Sequence, residues 1–192
     1  MPAAGAPTSP SGDPVATRQA IIEAVVRLAG RDGFDALTYR AVAEEAGVSH
    51  GLLRYHFGSL DAAVHEALHW TVDEAIARSP LTGADDLDSF AASLSRLVAQ
   101  SPEHVAFQWG LVMHAQRKPE LVEAIREFQA RYVTQIQAQL ERFGFPSERA
   151  LARTVFAVLN GIVLSQLVSR DPAETDAEIA ILREMLEGLR HR

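Results

Sequence analysis

Residues 38–57 read TYRAVAEEAGVSHGLLRYHF, and the punctuation inside that run predicts two short helices joined by a tight turn. Thr38 caps the first helix, because its hydroxyl can accept a backbone N–H that the first turn leaves unpaired. Val42, Ala43 and Ala46 follow at helical spacing and are expected to face inward. Gly47 stands where the helix must stop and the chain take a positive φ, which glycine does without steric cost. Val48 plugs the corner and Ser49 caps the next helix. Leu53 and Phe57, four apart, then fall on one side, while His50, Gly51, Arg54 and Tyr55 fall on the other. Small apolar contacts brace one helix and a second presents polar side chains outward: this is the pattern of a helix-turn-helix, whose second helix enters a DNA major groove.

Working outward, residues 1–12 (MPAAGAPTSPSG) offer almost nothing to bury and read as a disordered leader. Asp13-Pro14 starts a helix, with Asp as cap and Pro at the first position, where its missing N–H costs nothing. Ile21, Ile22, Val25, Leu28 and Ala29 make its apolar stripe and Gly33 ends it. Phe34 and Leu37 lead into the helix-turn-helix and are expected to pack beneath it. A core of three helices over roughly 45 residues is near the lower limit for folding alone. A fourth helix is expected from Ser59 or Asp61 to Arg78, with Leu60, Val64, Ala67, Leu68, Thr71 and Ala75 inward and Pro80 closing it. The polar run LTGADDL after it reads as the seam of the C-terminal part, although the domain boundary itself is placed at 58/59. Further helices are expected over 87–100, 102–116, 120–143, 147–169 and 175–190, broken at Lys118-Pro119, Gly144-Phe145-Pro146 and Asp171-Pro172. No useful β alternation occurs. The fold class is all-α with about nine helices: a leader (1–12), a helix-turn-helix domain (13–58) and a C-terminal effector-binding and dimerisation domain (59–192).

Composition limits the function. The 192-residue chain has no cysteine, hence no disulfide framework, thiolate metal site or thiol nucleophile. It shows no secretory signal and no run approaching the roughly 20 apolar residues of a membrane span, so a cytoplasmic protein without a membrane partner is expected. Seventeen arginines stand against a single lysine, Lys118, a bias that suggests a GC-rich bacterial source. The net charge of −7 is awkward for a DNA reader, and residues 1–70, with five Arg and eight Asp or Glu, are themselves at −3. Cations must therefore be concentrated locally, at Arg18, Arg40, Arg54, His50 and His56, aided by the helix N-termini at Thr38 and Ser49.

The helix around 149–168 is apolar nearly all round, which implies burial on two sides. One side would meet its own core and the other a second subunit. The dimer residues are taken as Leu151, Val155, Val158, Leu159, Ile162 and Leu167, with Ile179, Leu182, Leu186 and Leu189 of the last helix completing a four-helix interface. The blander reading, that both helices complete the monomer's core, stands beside it.

The run RQAIIEAVVRLAGRDGFDALTYRAVAEEAGVSHGLLRYHFGSLDAAVHEAL, residues 18–68, closely resembles the DNA-binding region of the TetR family of transcriptional regulators. The shared features are the glycine before the helix-turn-helix, the Ala-Gly-Val-Ser turn, and the Gly-x-Leu and aromatic-His-Phe run. The resemblance implies a three-helix DNA-binding domain, a divergent helical domain binding a small effector, and a homodimer through the last two helices. Carried over, Thr38, Tyr39 and Arg40 would start the supporting helix and touch phosphates. Ser49 caps the second helix, His50, Gly51 and Leu52 would lie nearest the bases, and Tyr55 and His56 would contact bases or backbone. Two departures stand out: Arg54 where the family usually has an aromatic residue, and Leu60 where it usually has a lysine. Arg54 would compensate for the missing cation or reach a guanine edge with its planar fork. The implied function is a ligand-responsive repressor that binds a palindromic double-stranded operator as a homodimer.

Four sharper readings have blander counterparts. His65 and His69, with Asp61 and Asp73 at the same interval, could hold zinc, but such a polar stripe ordinarily just meets water; no metal and no cofactor are expected. Phe90, Phe107, Gln108, Trp109, Met113, His114, Phe128 and Tyr132 are pocket material, although aromatics at helical spacing are more often plain core. Asn160, Ser165 and Gln166 are polar groups on a very apolar helix and need partners: a ligand, another subunit, or merely the i−4 carbonyl. No nucleophile–base set or phosphate loop is visible, so an enzyme ranks far below. The alternative is a ligand- or partner-binding helical dimer with weak or lost DNA binding, supported by Leu60 and the acidic N-terminal part.

Overall fold

The computed structural model describes residues 13–77, 81 and 83–190, and among them every regular element is helical. The expected leader, Arg78 and Pro80 lie outside the described residues. In chain order the helices are α1 (Pro14–Asp32), α2 (Tyr39–Ala46), α3 (His50–Phe57), α4 (Leu60–Ala77), α5 (Leu94–Gln100), α6 (Pro102–Ala115), α7 (Val122–Arg142), α8 (Arg149–Ser169) and α9 (Pro172–Arg190). Single 3₁₀ turns precede α2 and α7, at Phe34–Ala36 and Pro119–Leu121.

The start and stop signals act as expected through α4. The Asp13 carboxylate accepts the Val15 N–H at 2.9 Å, Thr38 Oγ1 that of Ala41 at 3.1 Å, Ser49 Oγ that of Leu52 at 3.2 Å and Ser59 Oγ that of Ala62 at 3.1 Å. Gly47 takes φ +67° and ends α2 with its N–H on the Ala43 and Glu44 carbonyls, the left-handed geometry that the turn demands.

Two helices differ from expectation. The one expected over 87–100 begins only at Leu94. Asp86 and Ser89 bind each other instead, the Ser89 N–H donating to Asp86 Oδ1 at 2.9 Å and Ser89 Oγ to the Asp86 carbonyl at 3.0 Å. Side-chain bonds of this kind compete with the helical ladder. Ala91 then adopts φ +60°, which no helix allows, and the Phe90 carbonyl is held by Arg183 Nε and Nη2 at 2.9 and 2.6 Å. The last helix starts at Pro172 rather than Thr175, because Asp171 accepts the Ala173 N–H at 2.9 Å. Asp171-Pro172 is thus the same start signal as Asp13-Pro14, not merely a break.

The chain forms two compact units, and their seam is not at 58/59: one comprises the described residues up to Thr71 with Ala106–Val122, the other Val72–Val105 with Glu123–Arg192. The physical reason is core size. Ala63, Val64, Ala67 and Leu68 of α4 are buried, and the first unit gains them along with Phe107 and Leu111 of α6. Phe34 stacks on Phe107 at 5.4 Å and on His114 at 4.9 Å between ring centroids. Gly110 makes room: a Cβ there would stand 2.9 Å from Phe34 Cε2. Lys118 Nζ bonds the Asp61 carboxylate at 3.1 Å in the same unit. The second unit has its own core, with Phe90, Ile136, Leu140, Val155, Leu159, Ile179, Leu182 and Leu186 all buried.

Within the first unit, Glu45 of α2 is clamped to α1 by Arg27 Nε at 3.0 Å and Arg31 Nη2 at 3.2 Å. The Arg27 hydrogen bond, joined by Arg31 and opposed by partial burial, holds the Glu45 carboxyl below its ordinary 4.5. A depressed carboxylate contributes stability that is fully present above the unfolded value and is lost as pH falls through the folded one. Glu45→Gln should therefore lower Tm at about pH 7, and its difference from the parent should vanish below pH 4.5 as the parent's carboxylate protonates. Melting curves across that window check it; a difference unchanged at about pH 3 would count against the clamp.

Candidate nucleic-acid interface and effector region

The helix-turn-helix is built so that one residue of α3 anchors it and most of the others face out. Leu53 is 0% exposed and is the only buried residue of the helix, while His50, Gly51, Arg54 and Tyr55 are exposed and Leu52 and His56 half-buried. Tyr55 is 81% exposed with its ring edge-on to His56 at 5.3 Å. A large aromatic left in water has no packing role in the subunit. The capping bonds at Thr38 and Ser49 each occupy one N–H of the first turn of α2 and α3; the others there add to the positive end of the helix dipole.

The arginines of this part are mostly engaged. Arg18 pairs with Glu66, Arg27 and Arg31 with Glu45, and Arg40 with Glu44 at 2.8 Å. The Glu44 hydrogen bond, with its charge, raises the Arg40 pKa from its ordinary value. Arg54 has no carboxylate partner among the described residues: its guanidinium lies over the Tyr39 ring, 5.2 Å from the centroid. The Tyr39 hydroxyl in turn accepts the Leu60 N–H at 3.1 Å. Tyr39, expected to touch phosphate, is thus half-buried with its hydroxyl occupied, a role nothing in the local spacing revealed.

The pocket candidates are divided between the two units. Phe107, Gln108, Trp109, Met113 and His114 fall in the unit holding the helix-turn-helix, and Phe90, Phe128, Tyr132, Asn160 and Gln166 in the other. Phe90 and Phe107 are core residues at 0% exposure, and Met113 is exposed. Asn160 Nδ2 donates to the Phe156 carbonyl at 2.8 Å, the i−4 partner. In the second unit Tyr132 joins Phe128 edge-on at 5.0 Å and Phe156 at 5.9 Å. Burial pushes the Tyr132 phenol up to about 12, with the Arg131 charge opposing, so it stays neutral. Buried Gln166 donates Nε2 to the Ser95 carbonyl at 2.7 Å, while its Oε1 and that of Gln135 have no partner among the described residues.

Of the expected polar stripe on α4, His65 and His69 lie with ring centroids 4.7 Å apart. Asp61 is bonded to Lys118 and Asp73 to Arg131, and no group of three or more metal-ligating side chains occurs among the described residues.

The expected dimer residues need correction. Val155, Leu159, Ile162, Ile179, Leu182 and Leu186 are buried in the subunit's own core, and Leu151 and Leu167 pack partly against it; of the ten, Val158 and Leu189 are exposed. Both faces of α8 are apolar, and the expected interface residues fall mainly on the inward one. The outward face carries Ala157, Val158, Gly161, Leu164 and Val168, the last 82% exposed, and that of α9 carries Ile181, Met185 and Leu189. By length and composition α8 is long and apolar enough to cross a membrane, as the core helix of a water-soluble fold also can be, and its inner face packs on α5 and α9.

A helix-turn-helix unit with a polar outward reader and a second unit whose regular elements, among the described residues, are all helical define the class of a DNA-binding regulator. Comparisons with known proteins agree. Residues 21–67 match the profile of bacterial regulatory proteins of the tetR family, and residues 85–192 that of the tetracyclin repressor-like C-terminal domain. The chain is 25% identical over 179 residues to the HTH-type transcriptional regulator BetI of Rhizobium meliloti, covering 89% of this chain and 88% of that one. Among solved structures it is similar to a transcriptional regulator from Rhodococcus sp. Rha1, with a TM-score of 0.77 and 24% identity over 88% of this chain and 95% of that one. It is also similar to the multidrug binding protein EbrR complexed with imidazole, with a TM-score of 0.64 and 30% identity over 90% of this chain and 88% of that one. The chain belongs to the TetR family of transcriptional regulators. It is a bacterial-type helix-turn-helix regulator, and the proteins it resembles are transcription factors rather than enzymes.

Proposed function

We propose that this regulator is a cytoplasmic, ligand-responsive repressor that binds a palindromic operator as a homodimer and is released by a small-molecule effector. The observation that carries the DNA-reading half is the outward face of α3, where His50, Gly51, Arg54 and Tyr55 are exposed rather than packed into the core. Thr38, Arg40, Ser49, Leu52 and His56 would complete the contact surface, with Arg40 exchanging Glu44 for phosphate.

Dimerisation is supported by the outward faces of α8 and α9. Val158, Leu164, Val168, Ile181, Met185 and Leu189 are large apolar side chains left in water by a single subunit. Apolar surface of this kind is stabilised by burial against a second copy. Two recognition helices would then sit one helical turn of DNA apart, roughly 34 Å.

The effector region is drawn to Phe128, Tyr132 and Phe156 with Gln166, where a neutral phenol, aromatic walls and an unpaired buried carbonyl oxygen stand in one unit. EbrR, solved with imidazole and with proflavin, shows that a similar protein takes small molecules. Effector binding would act through α4, which contributes to both units, to change the separation of the recognition helices.

One observation favours the alternative of a dimer with weak DNA binding: four of the five arginines in residues 13–71 are already paired with carboxylates. Fluorescence anisotropy with DNA from upstream of its own gene separates the two. Binding that exceeds unrelated DNA and falls steeply with salt supports the reader; indifference to sequence supports the alternative. For release, a compound that raises Tm in a thermal-shift screen should also weaken operator binding. Compounds that stabilise the protein and leave operator affinity untouched would overturn that part.

A further inference from the structure

Arg54, Tyr39 and Leu60 form one connected set joining three helices. Tyr39 is the first residue of α2, Arg54 lies in the second half of α3, and Leu60 is the first residue of α4. The Tyr39 hydroxyl accepts the Leu60 N–H at 3.1 Å and approaches the Gly58 carbonyl at 3.5 Å, which fixes the ring between the reading helix and the start of α4. On that ring rests the Arg54 guanidinium, 5.2 Å from the centroid and within cation–π range.

Charge accounting makes this set informative. Residues 1–70 contain no lysine and five arginines against eight carboxylates. Arg18, Arg27, Arg31 and Arg40 each have a carboxylate within ion-pair distance, so among the described residues of this stretch Arg54 is the one arginine without one. An aromatic face holds a guanidinium without neutralising it. It also leaves the N–H donors at the edge of the plane open to an incoming anion. An ion pair with Glu or Asp would hold the same side chain but cancel the charge that DNA must meet.

We propose that Tyr39 is a positioning residue that presents the Arg54 guanidinium, uncancelled and pre-oriented, to a backbone phosphate beside the N-terminus of α2. This rests on the DNA-reading proposal above and names the residues by which an acidic domain keeps a working cation. Pre-orientation matters because a free arginine carries several rotatable bonds whose ordering opposes binding. Phosphate rather than a guanine edge is the assigned partner, because Arg54 is drawn toward the start of α2. The first-turn N–H groups of α2 that Thr38 does not cap would favour the same anion.

The test is a set of variants titrated with DNA from upstream of the gene at several salt concentrations. Melting temperatures follow folding throughout. Arg54→Ala should weaken binding by about tenfold or more, the loss of a charge-assisted hydrogen bond. The slope of log affinity against log salt should flatten by about 0.9, one phosphate contact. Tyr39→Leu should lose a comparable fraction of affinity, and the Tyr39→Leu/Arg54→Ala double variant should be no weaker than Arg54→Ala alone. Tyr39→Phe and Tyr39→Trp keep a ring and should restore most of the affinity. Tyr39→Phe should do so even as its melting temperature falls with the lost Leu60 bond, a rescue that a purely structural role would not give. Additive losses in the double variant, or loss in Tyr39→Phe equal to that in Tyr39→Leu, would overturn the positioning role while the parent still binds. An unchanged slope with altered base preference in Arg54→Ala would overturn the phosphate assignment. A parent chain that shows no salt-dependent preference for its own upstream DNA would overturn the DNA-reading proposal and this inference with it.

Discussion

Placing aspartate at both Val158 and Ile181 should turn the protein into a folded monomer that has lost its operator. Val158 is 38% and Ile181 55% exposed in the single subunit, so neither substitution empties a core site or buries a charge within it. In a two-fold interface each aspartate occurs twice and would be desolvated without a partner. An uncompensated buried charge costs on the order of several kcal/mol, enough in total to dissociate a dimer of ordinary affinity. Operator binding should fall by well over a hundredfold, since each half-site would be bound alone at its own weaker affinity. Sedimentation velocity and the anisotropy titration read the two effects, and circular dichroism should show full helicity. A variant that stays dimeric would place the interface elsewhere.

Leu53→Ala should be the most damaging single truncation within the reader. Leu53 is fully buried and is the only residue of α3 that is, so it fixes the eight-residue helix to the rest of its unit. Removing three carbons from such a site costs about 2–5 kcal/mol, and a helix this short has little stability of its own to fall back on. Chemical denaturation should show a lower midpoint, and amide exchange over residues 50–57 should accelerate more than that over α8. Equal acceleration everywhere would mean that α3 is not the weakly held element described here.

The helix-turn-helix was legible because its signals are local. Thr38, Gly47 and Ser49 act within four residues of their own positions, and each makes the bond its identity predicts. The TetR resemblance rested on the same stretch. Much of what escaped the sequence was set by distant partners. The helix expected at 87–100 lacks its first two turns, where Asp86 and Ser89 bond each other locally and Arg183, more than ninety residues away, holds the Phe90 carbonyl. Tyr39 reads as an exposed aromatic at a helix start, and only the fold brings Leu60 and Arg54 to it. On α8 both faces are apolar, so hydropathy alone could not say that Val155 and Leu159 turn inward while Leu164 and Val168 do not. Separating faces in a uniformly apolar helix requires knowing what packs on it. The effector residues were the least legible, because aromatics such as Phe90 and Phe107 serve a core as readily as a pocket.

On the reading proposed above, an acidic chain meets DNA through the outward face of α3, where Arg54 is the one arginine of residues 13–71 not paired with a carboxylate among the described residues. The most direct measurement is equilibrium binding to DNA from upstream of its own gene, titrated over a range of salt, with unrelated DNA of equal length alongside. The account predicts preferential binding whose log affinity falls linearly with log salt, at a slope of about 0.9 per phosphate contact, flattened by one such step in Arg54→Ala. Equal affinity for both DNAs, or a slope near zero, would contradict it.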